Sequence, residues 1–191
     1  MSIELNQLIS EIERYMSWNE QEREDKIQML RLLASAEDIF LRENRQYHMT
    51  ASGWVVNKER TKVLMAYHNI YNSWSWLGGH ADGERNLLKV AVGEVMEESG
   101  IKNVQPVMRD IFSLEILPVA GHFKKGAYVP SHLHLNVTYL LEADEKEALS
   151  AKPDENSGVK WFTPEDAVAA STEYWFREHV YSKLNEKLRK L

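Results

Sequence analysis

Residues 78–101, GGHADGERNLLKVAVGEVMEESGI, constrain this chain more than any other stretch. Gly78 and Gly79 open it, and two glycines in succession let a backbone turn tightly and approach other groups closely. A helix-like run follows, and Gly100 stands where a helix needs a left-handed residue to stop. Near the end of that helix come Glu94, Glu97 and Glu98. At about 100° per residue, Glu94 and Glu98 lie roughly 40° apart with Glu97 beside them, so the three carboxylates share a face. Like charges at these spacings cost a few tenths of a kcal/mol per pair. Two readings account for that cost. The run is a solvated acidic face, or it holds a divalent cation whose charge removes the repulsion. A tight loop, a one-faced acidic helix and a forced stop together favour the cation.

The rest of the chain supplies a setting for this unit. Residues 2 to 44 read as helix throughout. Ile3, Leu5, Leu8, Ile9, Ile12 and Met16 form one apolar stripe, Ser17 and Glu20 are spaced as a capping box, and Ile27, Leu30, Leu33, Ile39 and Phe40 form a second stripe. From Tyr47 the texture changes. MTASGWVVN and TKVLMAYH read as a hairpin turning at Asn57–Arg60, NSWSWLGG as a short strand, and residues 84 to 99 as a helix. VQPVMRDIFSLEILPV and SHLHLNVTYLLEA are strand-like, with AGHFKKGAYVP as the loop between them. GVKWFTPEDAVAA is strand, turn and helix, with Thr163 as N-cap and Pro164 at the first helical position. A last helix from Glu173 should turn Trp175, Phe176, Val180, Leu184 and Leu188 inward. The expected architecture is α/β, a mixed sheet with helices on its faces. Residues 1–45 are a helical extension and 46–191 the main domain.

Bulk properties exclude several classes of function. The chain has 191 residues, enough for one domain with a short appendage, and a soluble composition of 43% hydrophobic and 27% charged residues. A net charge of −6 leaves no basic excess for general binding to nucleic acid or anionic membranes, though a small phosphorylated ligand is still open. The absence of cysteine removes disulfides, thiolate metal sites and a cysteine nucleophile. Acids interrupt the N-terminal stripe, so it does not read as a secretory signal, and no apolar run approaches the roughly 18–20 residues that span a bilayer. A cytoplasmic protein is the expectation.

The segment EVMEESGI resembles the tail of the Nudix hydrolase signature, G-x5-E-x7-R-E-U-x-E-E-x-G-U with U aliphatic. Glu94, Val95, Glu97, Glu98, Gly100 and Ile101 fall on its last conserved positions. Counting back from Glu94 puts Gly79 on the first glycine, Arg85 on the upstream glutamate, with Glu84 one residue early, and Gly93 on the arginine. The wording GGHADGE resembles the glycine loop of one Nudix subgroup, and LEILPV, PSHLHLNVTYLLEA and DENSGVKWFTPEDAV resemble its later strands and final loop. The resemblance covers about residues 47–170 and implies an α/β/α sandwich.

It also implies a reaction: metal-dependent cleavage of the diphosphate bond of a nucleoside diphosphate linked to another moiety. Mg²⁺, or Mn²⁺, is the implied cofactor. The implied metal ligands are Glu94 and Glu98, helped by Glu97 and the Gly79 carbonyl. Glu94, Glu97 and Glu155 are the implied catalytic carboxylates, with Glu94 or Glu155 as the base and Glu115 a weaker candidate. Gly93 cannot orient the glutamates as the family's arginine is held to do, which leaves Arg85 or Lys89 to substitute. A catalytically impaired Nudix domain that binds or senses a nucleotide is the alternative. A helical interaction protein with a merely solvated acidic face is a third reading, which the glycine pair and Gly100 oppose.

Other residues carry weaker signals. His132 and His134 alternate on a strand and face one side, and with His122 or His80 they could hold zinc, although such histidines more often line pockets or satisfy core hydrogen bonds. Lys124 and Lys125 could meet phosphates, with a solvated loop as the plainer account. Trp54, Trp74, Trp76 and Trp161 read as core or pocket wall. The partner expected is a small nucleoside diphosphate derivative, without nucleic acid or membrane, and the amphipathic N-terminal helices leave a homodimer open.

Overall fold

The computed structural model describes residues 3–35, 38–124 and 126–191. Two helices, α1 (Ile3–Arg14) and α2 (Glu20–Ser35), precede β1 (Tyr47–Val56), β2 (Val63–His68), β3 (Ser73–Ser75) and β4 (Leu77–His80). Helix α3 (Leu87–Ser99) follows, then β5 (Val104–Pro106), β6 (Ser113–Val119), the small hairpin β7 (His122–Lys124) and β8 (Ala127–Val129), and β9 (His132–Ala143). The chain ends with β10 (Asn156–Phe162), α4 (Pro164–Ala170), a π-helical turn at Phe176–Tyr181 and α5 (Ser182–Leu188). The main sheet runs β10-β2-β1-β9-β5, with β3 beside β2, β4 beside β1 and β6 beside β9. β1 and β9 pair in parallel, and β4 is antiparallel to β1.

Strand alternation sorts the sheet into two faces. Met49, Ala51 and Val55 of β1 join Leu135, Val137 and Leu141 of β9 against Val90, Ala91 and Val95 of α3. On the other face, Trp54, Val56 and Leu140 meet Val180, Tyr181 and Leu184. Helices therefore cover both sides of a mixed sheet, the expected α/β/α arrangement. Thr163 caps α4 through its hydroxyl, which accepts from Asp166 N at 3.1 Å, and Pro164 follows it.

The N-terminal pair is built into this core. Leu5, Leu8, Ile12, Met29 and Leu33 are buried in the same cluster as α3 and the sheet. Helix α2 also covers the edge of β6, where the Ile116 N–H donates to the Asp25 carboxylate at 3.2 Å, so that edge is not left open for pairing. Below it lies a buried charge network: Glu22 accepts from Lys183 and Lys187 at 3.1 and 3.0 Å, and Lys183 also reaches Glu115 at 3.0 Å.

Several local expectations are corrected. Helix does not continue through residues 38–44. Ile39 and Phe40 are adjacent and both buried, and their carbonyls accept from Met49 N and Gly83 N instead of closing helical turns. The N-cap of α2 is Asn19, whose side chain accepts from Glu22 N at 2.9 Å, and not Ser17. That start places Glu22 where it also accepts from Trp18 N and reaches the lysines. Residues 84–86 are not helical, because Glu84 accepts from Arg85 N and Asn86 N and Asn86 then caps α3 at Leu87. Trp175 faces outward, 49% exposed: the wider π turn buries Val180 and Tyr181 together and leaves Trp175 against His179. The loop at 120–130 contains a hairpin; Lys125 and the side chain of Lys124 lie outside the described residues.

Candidate active site

Helix α3 presents Glu94 and Glu98 toward the glycine strand β4. Gly79 lets the Glu94 carboxylate lie against the strand, because a Cβ at this position would come within 2.4 Å of the Glu94 carboxyl carbon and push that side chain aside. Glu98 is buried, and its carboxylate accepts from Gly78 N at 3.1 Å. Gly100 ends the helix in the left-handed region at φ 76°, its N–H returning to the Met96 carbonyl. The helix stop at Gly100 is as local spacing indicated, but the glycine pair forms strand β4 and the tight turn falls at Asp82–Gly83, both at positive φ.

A third carboxylate arrives from elsewhere. Glu155 sits in the turn before β10, and ligand oxygens of Glu94, Glu98 and Glu155 all lie within 4.8 Å of one another. The turn is clamped onto α3 by Asn156, which is buried and donates to the Glu98 carbonyl at 3.0 Å. Asn156 also accepts from Lys152 N at 3.2 Å. Lys152 contacts Glu97 at 2.5 Å and Glu155 at 3.1 Å. Glu97 is therefore turned to a lysine and is not one of the three converging carboxylates. On the other flank, Arg42 grips Asp82, and both Glu94 and Glu155 act on it electrostatically.

Burial pushes the Glu94 carboxyl up to about 7, with Glu97 and Glu155 adding to the rise. Burial, with Glu94 next, pushes Glu98 up to about 8. Lys152 is paired with Glu97 and Glu155, and its pull on Glu94 and Glu98 is too small to offset their burial and mutual repulsion. An all-oxygen donor set of this kind suits a hard divalent cation, which would restore both groups to their charged form. The residues present therefore fit the metal that the resemblance implies.

The remaining candidates are placed as follows. Glu115 is buried and spent on Lys183, Ser113 and Asn136, far from the role of a base. Lys89 pairs with Glu84, and Arg85 lies over the Phe40 ring at 5.2 Å. Trp54 stacks on Tyr181, Trp74 packs edge-on against Tyr67 and Phe162, and Trp76 meets Phe176, while Trp161 packs on the core. His80, His132 and His134 come together with His48, whereas His122 turns to the Ala120 carbonyl. Lys152, Asn156, Arg42 and His48 were not singled out from sequence. Only Asn156 and Lys152 carried a hint, by flanking Glu155.

Similarity to known proteins agrees with this geometry. A family model described as the NUDIX domain matches residues 46–184, from the start of β1 into α5 and leaving out α1 and α2. An RNA pyrophosphohydrolase of Pelagibacter ubique (strain HTCC1062) is 28% identical over 144 residues, 73% of this chain and 90% of that protein. Among solved structures, a C. elegans Ap4A hydrolase binary complex superposes with a TM-score of 0.55 at 17% identity, over 75% of this chain and 98% of that one. The MutT protein of Methanosarcina mazei Go1 gives 0.54 at 15% identity, over 75% and 96%. The last two show the same fold. Among the described residues no helix is long and apolar enough to cross a membrane. With the family match spanning more than two-thirds of its length, the chain belongs to the NUDIX domain family and is a Nudix hydrolase.

Proposed function

We propose that this protein cleaves the diphosphate bond of a nucleoside diphosphate linked to another moiety, with Mg²⁺ or Mn²⁺ bound at Glu94 and Glu98. The observation that carries this reading is the convergence of Glu94, Glu98 and Glu155 against the Gly78–Gly79 strand. When bound, a divalent cation neutralises phosphate oxygens and lowers the pKa of a coordinated water. The chain's own residues do the rest. Gly78 holds the Glu98 carboxylate in place through its N–H. Asn156 fixes the Glu155 turn against the end of α3. Glu155 comes from a separate, more open element than Glu94 and Glu98, and is assigned as the group that accepts the water's proton. Glu97 acts by holding Lys152, not as a ligand.

Lys152 also answers the departure at Gly93. Gly93 is exposed, with nothing within 4 Å of where its Cβ would be. The cation that steadies the carboxylates comes instead from the turn that carries Glu155. This supports an active domain over an impaired one. Lys152→Met should lower kcat/KM by about 10–100-fold, the usual effect of losing an outer group that holds a site residue, here Glu155. Gly93→Arg should change it less than threefold. A large gain in Gly93→Arg would instead show that the natural domain is impaired.

The net charge of −6 favours a small substrate. The substrate class is tested by product release from nucleoside triphosphates, nucleotide sugars, dinucleoside polyphosphates and a triphosphorylated RNA, each with Mg²⁺, Mn²⁺ or chelator. Metal-dependent release of a nucleoside monophosphate is expected. Silence across the panel, or turnover unaffected by chelator, would overturn the proposal.

A further inference from the structure

Four imidazoles meet on the face of the sheet opposite the glutamates. His48 of β1 and His134 of β9 are register neighbours on parallel strands, and His132 lies two residues before His134 on the same face. His80 ends β4 on the other side of β1, with Thr50 as its partner. Because successive residues point to opposite faces, Gly79 meets Glu94 while His80 turns to the histidines. One ring nitrogen from each of the four lies within 4.8 Å of the others. The His48 ring centroid is 5.0, 4.9 and 5.1 Å from those of His80, His132 and His134.

The hydrogen bonds around the cluster set which nitrogens are available. Nδ1 of His48 lies 2.9 Å from the Asn44 carbonyl, and Nδ1 of His132 lies 2.9 Å from the Pro130 carbonyl. A carbonyl only accepts, so each Nδ1 carries a proton, and each ring in its neutral form offers its Nε2 lone pair to the cluster. Backbone carbonyls commonly fix metal-ligating histidines in this way. His48 is buried, and its Nε2 has no hydrogen-bond partner. A buried acceptor left unpaired is costly and asks for an occupant. Nε2 of His132 and Nε2 of His134 are 3.1 Å apart. The edge of a tetrahedron with metal–nitrogen bonds near 2.0–2.1 Å is about 3.3 Å.

We propose that His48, His80, His132 and His134 form a second metal site, selective for a borderline transition-metal dication of the Zn²⁺ class and separate from the acidic site. Imidazole donors suit zinc, copper, nickel and iron, whereas the all-carboxylate site suits magnesium and manganese. The two sites divide metals by ligand chemistry across one sheet. The ion ties β4, β1 and β9 together at the end where Gly79 and His80 point to opposite faces, and so braces the glycine strand.

The test uses the full chain, stripped with chelator and dialysed into excess Mg²⁺, then titrated with Zn²⁺ and with Co²⁺. The wild type should retain one Zn²⁺ per chain and raise its Tm, and Co²⁺ should give the intense visible bands of tetrahedral coordination. Glu98→Gln should bind Zn²⁺ as the wild type does. His134→Ala should bind at least tenfold more weakly, and His132→Gln repeats the test if His134→Ala fails to fold. A wild type that retains no zinc over magnesium would overturn the proposal. So would equal zinc retention by folded His134→Ala or His132→Gln, which would place the ion at the carboxylates.

Discussion

Glu22→Ala is expected to destabilise the protein by about 3–5 kcal/mol, although Glu22 lies outside the family-matched region. Its side chain is fully buried. One oxygen accepts from Ser113 Oγ at 2.7 Å and from Lys183 and Lys187, the other from Tyr15 Oη at 2.6 Å and Trp18 N at 2.7 Å. Truncation leaves Lys183 and Lys187 buried with Glu115 as the one carboxylate still paired to Lys183 in the network. Uncompensated buried charge is what makes breaking such a network expensive. For a chain of this size the change corresponds to a fall of about 6–20 °C in Tm. Urea unfolding of the variant checks it, and a loss below about 1 kcal/mol would mean the lysines find water or another partner.

The same network gives a pH signature. Burial alone would raise the Glu22 pKa, but Lys183, Lys187 and the hydrogen bonds outweigh it and hold the group at about 2, against an ordinary 4.5. A depressed folded-state pKa contributes stability that is fully present above pH 4.5 and is lost as pH falls toward 2. Acid unfolding of the wild type should therefore steepen in that window, and that component should vanish in Glu22→Ala.

Glu98→Gln should lower metal-dependent turnover by about 10³-fold or more, since a metal's charge stabilisation of the transition state is worth several kcal/mol and each 1.36 kcal/mol is a factor of ten. The amide keeps the shape and can still accept from Gly78 N, so the loop geometry survives. It removes a buried carboxylate that is repelled by the half-buried Glu94. In chelator the variant should therefore unfold no earlier than the wild type. Steady-state kinetics at saturating Mg²⁺ beside a thermal melt separates the two effects. Undiminished turnover would remove Glu98 from the metal site, and a collapse in stability would make its role structural.

Much of the site was legible because its signals are local. The helix bearing Glu94 and Glu98 follows from periodicity and its end from a glycine at positive φ, whereas its start is set by Asn86 and not by the glycine pair, which lies in β4. The hairpin at residues 47–68 and the Thr163–Pro164 cap were legible for the same reason. What failed was also local in form, but tertiary contacts overrode it. Residues 38–44 have helical texture, yet their carbonyls pair with β1 and the loop after β4. Trp175 fits an inward helical spacing until the π turn shifts the register.

Sequence alone therefore determined the acidic helix, its stop at Gly100 and the family to which it points, since each depends on residues within a turn or two of one another. The tertiary structure decided which charges meet. Glu155 and Lys152 join Glu94 and Glu97 from more than fifty residues away, because Asn156 binds the end of α3. His48 meets His134 because β1 and β9 pair in parallel, across 86 residues of chain, and Glu22 meets Lys187 across 165. Periodicity carries no information about such pairings. They are set by strand order and by helix docking, which bring distant side chains to one point only when the whole core is packed.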